Sequence, residues 1–268
     1  MKEDISFTEQ IRIALSKPLW YKSLFQQSLK KHVCYFLILI VLTTVIRSVI
    51  PTAAYIQSVG GLQRLLLEGI PTFSFTNGEL TVDEVVDIER NGVQLYIDTS
   101  KESYTLEDAK AAAAEMDDSF ALVYLVSRTN MVCNQVSVPY SFQELQGLTL
   151  DNQIVYQIAP AYLIFSVLFA FFYNMAAYLF SALFFAVFGY LINRVLNLKL
   201  RFGQIYLIAM YAKSVQILLE AVLEVAGFSL LYYIGSIAGI FITCNYMTRG
   251  MSSFLLPSVK TGDDNLRE

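Results

Sequence analysis

The chain is 268 residues long, 55% hydrophobic and only 16% charged, with a mean hydropathy of +0.49 and a formal net charge of −4. Ordinary soluble domains carry about 25% charged residues, so this composition excludes that class and points to a bilayer as the surrounding medium. A net acidic chain is not expected to take a nucleic-acid partner.

Residues 1–32 read as a cytoplasmic, amphipathic, interfacial segment. Ile5, Phe7, Ile11, Leu15, Leu19, Leu24 and Phe25 recur at roughly helical intervals among Lys, Gln and Ser, with a break at Pro18. Trp20 and Tyr21 beside Lys22 form an interfacial anchor, an aromatic pair and a cation suited to anionic headgroups. His32 is expected at the same boundary.

The first apolar run, 33–53, has the roughly 20 residues that cross about 30 Å of hydrocarbon. About thirty residues precede it, which argues for an uncleaved anchor rather than a signal peptide. Its end is expected at Pro51, with Arg47 near the outer end, where a long side chain reaches the interface.

Residues 54–153 differ in kind, with fifteen Asp and Glu against five Lys and Arg. Asn77-Gly78 and Asn91-Gly92 each separate β-type runs (72–76 from 79–82, and 85–90 from 93–98), and Asn-Gly supplies the two positive-φ positions of a type I′ turn. Thr105 opens a helix, strands follow at 120–127 and 131–138, and Ser141 with Glu144 has capping-box spacing. This segment is expected to be a small α+β domain on a mainly antiparallel sheet.

The apolar stretch 154–192 fits either two tight spans or one long helix. Basic residues favour one helix, because it delivers Arg194, Lys199 and Arg201 of the loop 193–202 to the same side as Lys17, Lys22, Lys30 and Lys31. Spans 203–225 and 228–247, turning at Gly227, return the tail 248–268 to that side, and 260–268 is expected to be disordered. The expected fold is therefore an α-helical integral membrane protein with four transmembrane helices, both termini cytoplasmic, and an extracytoplasmic α+β domain between helices 1 and 2.

No phosphate loop, dinucleotide fingerprint, zinc-protease or nucleophile-elbow motif occurs, so no catalytic residue, metal ligand or cofactor is expected. Cys34 and Cys244 lie in apolar runs and Cys133 stands alone, so no disulfide framework is indicated.

The chemistry-bearing pattern is in the third span. Tyr206, Lys213, Glu220 and Glu224 follow at intervals of seven, seven and four, which stacks them on one helix face. A charge at mid-bilayer costs about 2.5 kcal/mol or more, so this face should turn inward. Arg47 reaches the same depth as Glu220 and can pair with it. Lys213 lacks an acidic partner in another span, leaving Asn174 or a wet crevice. The same face also reads as structural polar glue between helices.

Gly235 and Gly239 form a G-x-x-x-G that serves either packing within the chain or homo-oligomers. In the acidic domain, Tyr96, Tyr104, Tyr124 and Tyr140 either pack the sheet or stack on sugars, and the acidic surface suits solubility or positively charged ligands.

Several stretches carry a family resemblance: Pro18-Leu19-Trp20-Tyr21, then Phe73-Ser74-Phe75-Thr76-Asn77-Gly78-Glu79-Leu80, Leu95-Tyr96-Ile97-Asp98-Thr99, Arg201-Phe202-Gly203-Gln204-Ile205-Tyr206 and Ala209-Met210-Tyr211-Ala212. With this order of parts the chain resembles a family of uncharacterised bacterial membrane proteins, a domain of unknown function with a member labelled as a maltodextrin-utilisation protein. The membrane part is similar in style to the Yip1-like proteins. The resemblance implies a multi-pass protein of the bacterial cytoplasmic membrane and an association with carbohydrate uptake, and it carries no site residues. The function expected is a non-enzymatic accessory or scaffold protein whose outer domain binds a ligand or partner, such as a membrane transporter. The alternative is a small transporter or channel using the charged face of the third span.

Overall fold

The computed structural model describes residues 5–90, 92–116, 122–227 and 229–255. Asn91 of the second expected hairpin, the first two residues of the strand expected at 120–127, Phe228 and the tail 260–268 lie outside the described residues. The chain divides into two compact units, Met1–Ala53 with Phe165–Glu268, and Ala54–Ile164.

In the first unit, α1 (Phe7–Ser16) is capped by Ser6, whose side chain accepts from the Glu9 amide at 3.2 Å. It stops at Lys17 because the following proline disfavours helical geometry in the residue before it. A 3₁₀ turn (Pro18–Trp20) leads into the short α2 (Tyr21–Leu24).

Next, α3 (Leu29–Thr44) passes through a π-helical turn (Val45–Val49) into α4 (Ile50–Ser58), giving one helix of 30 residues. The end expected at Pro51 is thus corrected. The widened turn, closed by the Ile50 amide on the Val45 carbonyl, shifts the bonding register just before the proline, whose ring would otherwise press on the Arg47 carbonyl.

Beyond the acidic segment, α6 (Asn152–Val195) is a single helix of 44 residues with Pro160 inside it, about 66 Å at 1.5 Å per residue. α7 (Phe202–Val225) turns at Gly227 (φ +74°) into α8 (Ser229–Ser252). Among the described residues four helices are long and apolar enough to cross a membrane: Leu29–Ser58, Asn152–Val195, Phe202–Val225 and Leu230–Ser252.

α7 is the buried centre of this unit. Ile205, Ile208, Ala209, Tyr211 and Ala212 are fully buried, and the Tyr35 and Phe36 rings of α3 lie 5.1 and 5.0 Å from that of Tyr211. Outward faces carry large apolar side chains such as Phe165, Phe169, Phe180 and Phe184 on α6 and Phe241 on α8. Exposed apolar area on that scale calls for an apolar surrounding or partner.

The amphipathic start packs into this core. Tyr21 is fully buried, sits against Gly250 and donates to the Ala14 carbonyl at 2.9 Å, so it does not face headgroups as expected of an interfacial anchor. Trp20 stays partly exposed with the Lys17 ammonium 5.1 Å from its ring, and the Lys22 amide donates to Ser253.

The second unit holds two sheets, one of three strands and one of five. In the first, β1 (Phe73–Thr76) pairs antiparallel with β2 (Glu79–Val82) and β8 (Thr149–Asp151). The turn residues Asn77 and Gly78 adopt φ of +53° and +81°, as Asn-Gly favours.

In the second, β3 (Val86–Arg90), β4 (Val93–Ile97), β5 (Leu122–Val126), β6 (Asn130–Cys133) and β7 (Tyr140–Ser141) are antiparallel except for β4 with β5. That parallel pair needs a crossover, and α5 (Leu106–Ala114) provides it. The strand expected over 131–138 is shorter, ending at Cys133, with β7 following only at Tyr140, and Ser141 caps a 3₁₀ turn (Phe142–Leu145) through the Gln143 amide.

Alternation along the strands gives the larger sheet two different faces. Leu95, Ile97 and Val126 pack with Phe75 and Phe142 of the smaller layer, while Val123 and Leu125 pack with Ala109 and Tyr104 under α5. α5 covers the β5–β6 half of its face. The β3–β4 half lies beyond its cover.

Candidate functional site

In the helical unit the sequence-marked charges meet through the π turn. Arg47 Nη2 lies 3.4 Å from Glu220 Oε2, and Arg47 Nε lies 3.0 Å from Glu224 Oε2, close enough for strong attraction although that N–H is not aligned for a hydrogen bond. Gln216 donates to Glu220 Oε1 at 2.7 Å, and Thr243 donates to Gln216 Oε1 at 2.9 Å. A polar seam thus runs from the Arg47 turn through α7 to α8.

The rest of the expected face does not join this seam. Tyr206 donates to the Leu179 carbonyl of α6 at 3.1 Å. Lys213 is 7% exposed with its ammonium 5.3 Å from the Phe185 ring, and no carboxylate pairs with it among the described residues. Asn174, considered as its partner, donates instead to Thr44 at 3.1 Å.

Gly235 and Gly239 face α7. A Cβ on Gly235 would strike Leu223, and one on Gly239 would come 2.5 Å from Gln216 Cγ. Of the two uses open to these glycines, the structure shows packing within the chain, and this close approach is what brings Gln216 to Thr243.

Two groupings escaped the sequence reading. Gln10 of α1 donates to the Tyr211 hydroxyl at 2.6 Å, which leaves that hydroxyl's proton for His32 Nδ1 at 2.7 Å. His32 is 6% exposed, enclosed by the protein. Its lysine neighbours gave no sign of that enclosure.

The second grouping is a cleft of about 780 Å³ in the other unit, where α5 leaves the β3–β4 half of the sheet open. Asp87 and Glu89 line one wall from β3, facing Tyr96 and Gln94 in register on β4, while Asp108 and Glu115 line the other from α5 and its end. Asp87 accepts from Gln94 at 3.0 Å. Asp108 accepts from the Thr105 amide at 2.7 Å and hydroxyl at 2.8 Å, which holds its carboxyl below the usual range.

The Lys101 ammonium lies 4.7 Å from the Tyr104 ring. Burial, then Asp98, Tyr96 and Asp108 nearby, push the Tyr104 phenol up to about 12. The i, i+2 spacing of Asp87 and Glu89 could have revealed this face, but the position of α5 could not be read from it.

No curated protein and no solved structure matches the chain. A family model does match, over residues 9–249, and the chain belongs to the family described as Protein of unknown function (DUF1189).

Proposed function

We propose that the protein is a non-enzymatic multi-pass protein of the bacterial cytoplasmic membrane that holds a ligand-binding domain, residues 54–153, on the extracytoplasmic side, with both termini in the cytoplasm. One contrast carries the reading. In the helical unit Arg47 is engaged by Glu220 and Glu224, whereas among the described residues none of the four carboxylates lining the cleft is in an ion pair. Groups already paired hold helices together, whereas in the cleft Asp87 is bonded to Gln94 and Asp108 to Thr105, which leaves Glu89 and Glu115 the more available to a ligand. Tyr96 and Tyr104 on the cleft wall keep the sugar-uptake association implied by the resemblance within this reading.

The test uses the full chain in nanodiscs and a thermal-shift panel of spermidine, maltotriose and trilysine. At least one is expected to raise the Tm of the wild type and not that of a Glu89→Lys, Glu115→Lys variant. No stabilisation by any of them overturns the binding reading. Sidedness is read with an impermeant maleimide on intact cells. Cys133 is 6% exposed and cannot report, so the probes are Val138→Cys, at a position 72% exposed, and Lys199→Cys, in a background lacking Cys34 and Cys244. Position 138 should label and position 199 should not.

A second reading, a small transporter or channel, is favoured by one observation: Lys213 is buried against a ring without a carboxylate among the described residues. Wild-type proteoliposomes without flux remove it, and flux unchanged by Lys213→Ala and Glu220→Ala removes the charged face of α7 as its mechanism.

A further inference from the structure

The cleft's chemistry narrows what it can hold, on the reading that it is a ligand site. Its four carboxylates stand on both walls, and with Lys101 the lining carries about −3. Among the described residues no three His, Cys, Asp or Glu side chains converge to hold a metal ion. The negative charge is thus spread along a slot, which suits a ligand with several separated positive charges better than a point cation. The lining also includes Ala111, Ala112, Met116 and Leu125, apolar side chains that offer a surface for methylene segments.

Tyr104 points to the same chemistry independently. It is 5% exposed, and among the described residues its buried hydroxyl has no hydrogen-bond partner. A buried polar group left in that state is uncommon and costs free energy. Tyr104 shares the cleft lining with Tyr96 and the carboxylates of Asp87, Glu89, Asp108 and Glu115, so a group entering beside it is favoured to be a cationic donor, to which the phenol oxygen offers its lone pairs. The face of the ring already carries the Lys101 ammonium, which shows that an alkylammonium fits there.

We infer that the cleft between α5 and the β3–β4 face binds a linear polyamine, whose ammonium groups reach Glu89, Asp87 and Glu115 while its methylenes lie on the apolar side chains of the lining. One ammonium takes the position over Tyr104 and displaces Lys101.

The experiment is calorimetric titration of the full chain, in phosphatidylcholine nanodiscs at neutral pH, with spermidine. Saturable binding is expected, weakened about tenfold by Glu89→Gln and again by Glu115→Gln, the effect of losing one charge-assisted hydrogen bond each. Raising salt from 0.1 to 0.5 M should weaken it further as screening shortens. Lys101→Ala should tighten it about threefold, because the competing ammonium is gone; a merely structural lysine would not have that effect. Binding unchanged in the Glu89→Gln, Glu115→Gln double variant with wild-type Tm overturns the proposal, as does no saturable binding of spermidine. If maltotriose or trilysine stabilises the wild type through the cleft while spermidine does not, the polyamine assignment falls and the ligand-site reading stands. If none binds, both fall.

Discussion

Arg47 and Glu220, 173 positions apart in the chain, approach to 3.4 Å because the π turn at Val45–Val49 carries the guanidinium toward α7. Their side chains are 17% and 16% exposed, so the pair is shielded on both sides. Removing the cation leaves Glu220 and Glu224 facing each other. Breaking a fully buried pair costs roughly 3–5 kcal/mol; with Glu224 half-exposed, Arg47→Ala should cost about 2 kcal/mol in reversible unfolding in detergent. Glu220→Gln keeps a hydrogen-bonding group beside Gln216 and should cost less, and the double variant should cost less than the two singles together.

Gly239 should be intolerant of a side chain. A methyl group there meets Gln216 Cγ, and moving Gln216 breaks its bonds to Thr243 and Glu220. Gly239→Ala is expected to lower stability by roughly 1–3 kcal/mol, the usual cost of overpacking. Gly203 has no atom within 4 Å of an added Cβ, so Gly203→Ala serves as the neutral control in the same thermal unfolding series.

Lys213 should be replaceable by an apolar side chain of similar length. Among the described residues Lys213 has a ring contact and no ion pair, so its buried charge is poorly compensated, and exchanging buried charges for apolar residues is commonly neutral or stabilising by about 1–4 kcal/mol. Lys213→Met should therefore leave the Tm unchanged or raise it. A fall of several degrees would show that the ammonium has a partner it depends on.

Acid should loosen the cap of α5 before the rest of its unit. The folded Asp108 carboxyl is held below its ordinary value of 3.8 by the Thr105 amide and hydroxyl. Its contribution is thus present above that value and is lost as pH falls through the lower folded one. Hydrogen exchange at the Leu106–Ala114 amides should quicken below about pH 4, and Asp108→Asn should remove that dependence. Thr105→Ala should cost about 1 kcal/mol at neutral pH, as loss of an N-cap does.

Alkali acts on Tyr104 in the opposite sense. Its phenol is pushed up to about 12, so the stabilisation from keeping it neutral is present below the ordinary value near 10 and is lost as pH rises through 12. Tyrosinate absorbance of Tyr104→Phe minus wild type should show the missing group titrating near 12. A difference centred near 10 would mean that the hydroxyl is solvated.

Much of the architecture was legible along the chain. Apolar runs of bilayer length locate the long helices, since the periodicity and length of such runs depend on neighbouring residues alone. Asn77-Gly78 placed the β1–β2 turn, and Thr105 the start of α5, for the same local reason. The pairing of Arg47 with Glu220 was also readable, because helical rise converts sequence position into depth.

Contacts between distant segments were decided by tertiary structure. Tyr21 and His32 look interfacial from their lysine neighbours, yet both are buried, since α1 and α2 fold onto α7 and α8 and the side-chain environment follows from that packing. Asn174 went to Thr44 rather than Lys213, and Gly235 and Gly239 to α7, because rotation of each helix about its axis is set by the neighbour it packs against. The acidic cleft exists for the same reason. Which carboxylates face one another depends on how far α5 reaches across the sheet, a distance that no spacing within β3 or α5 encodes.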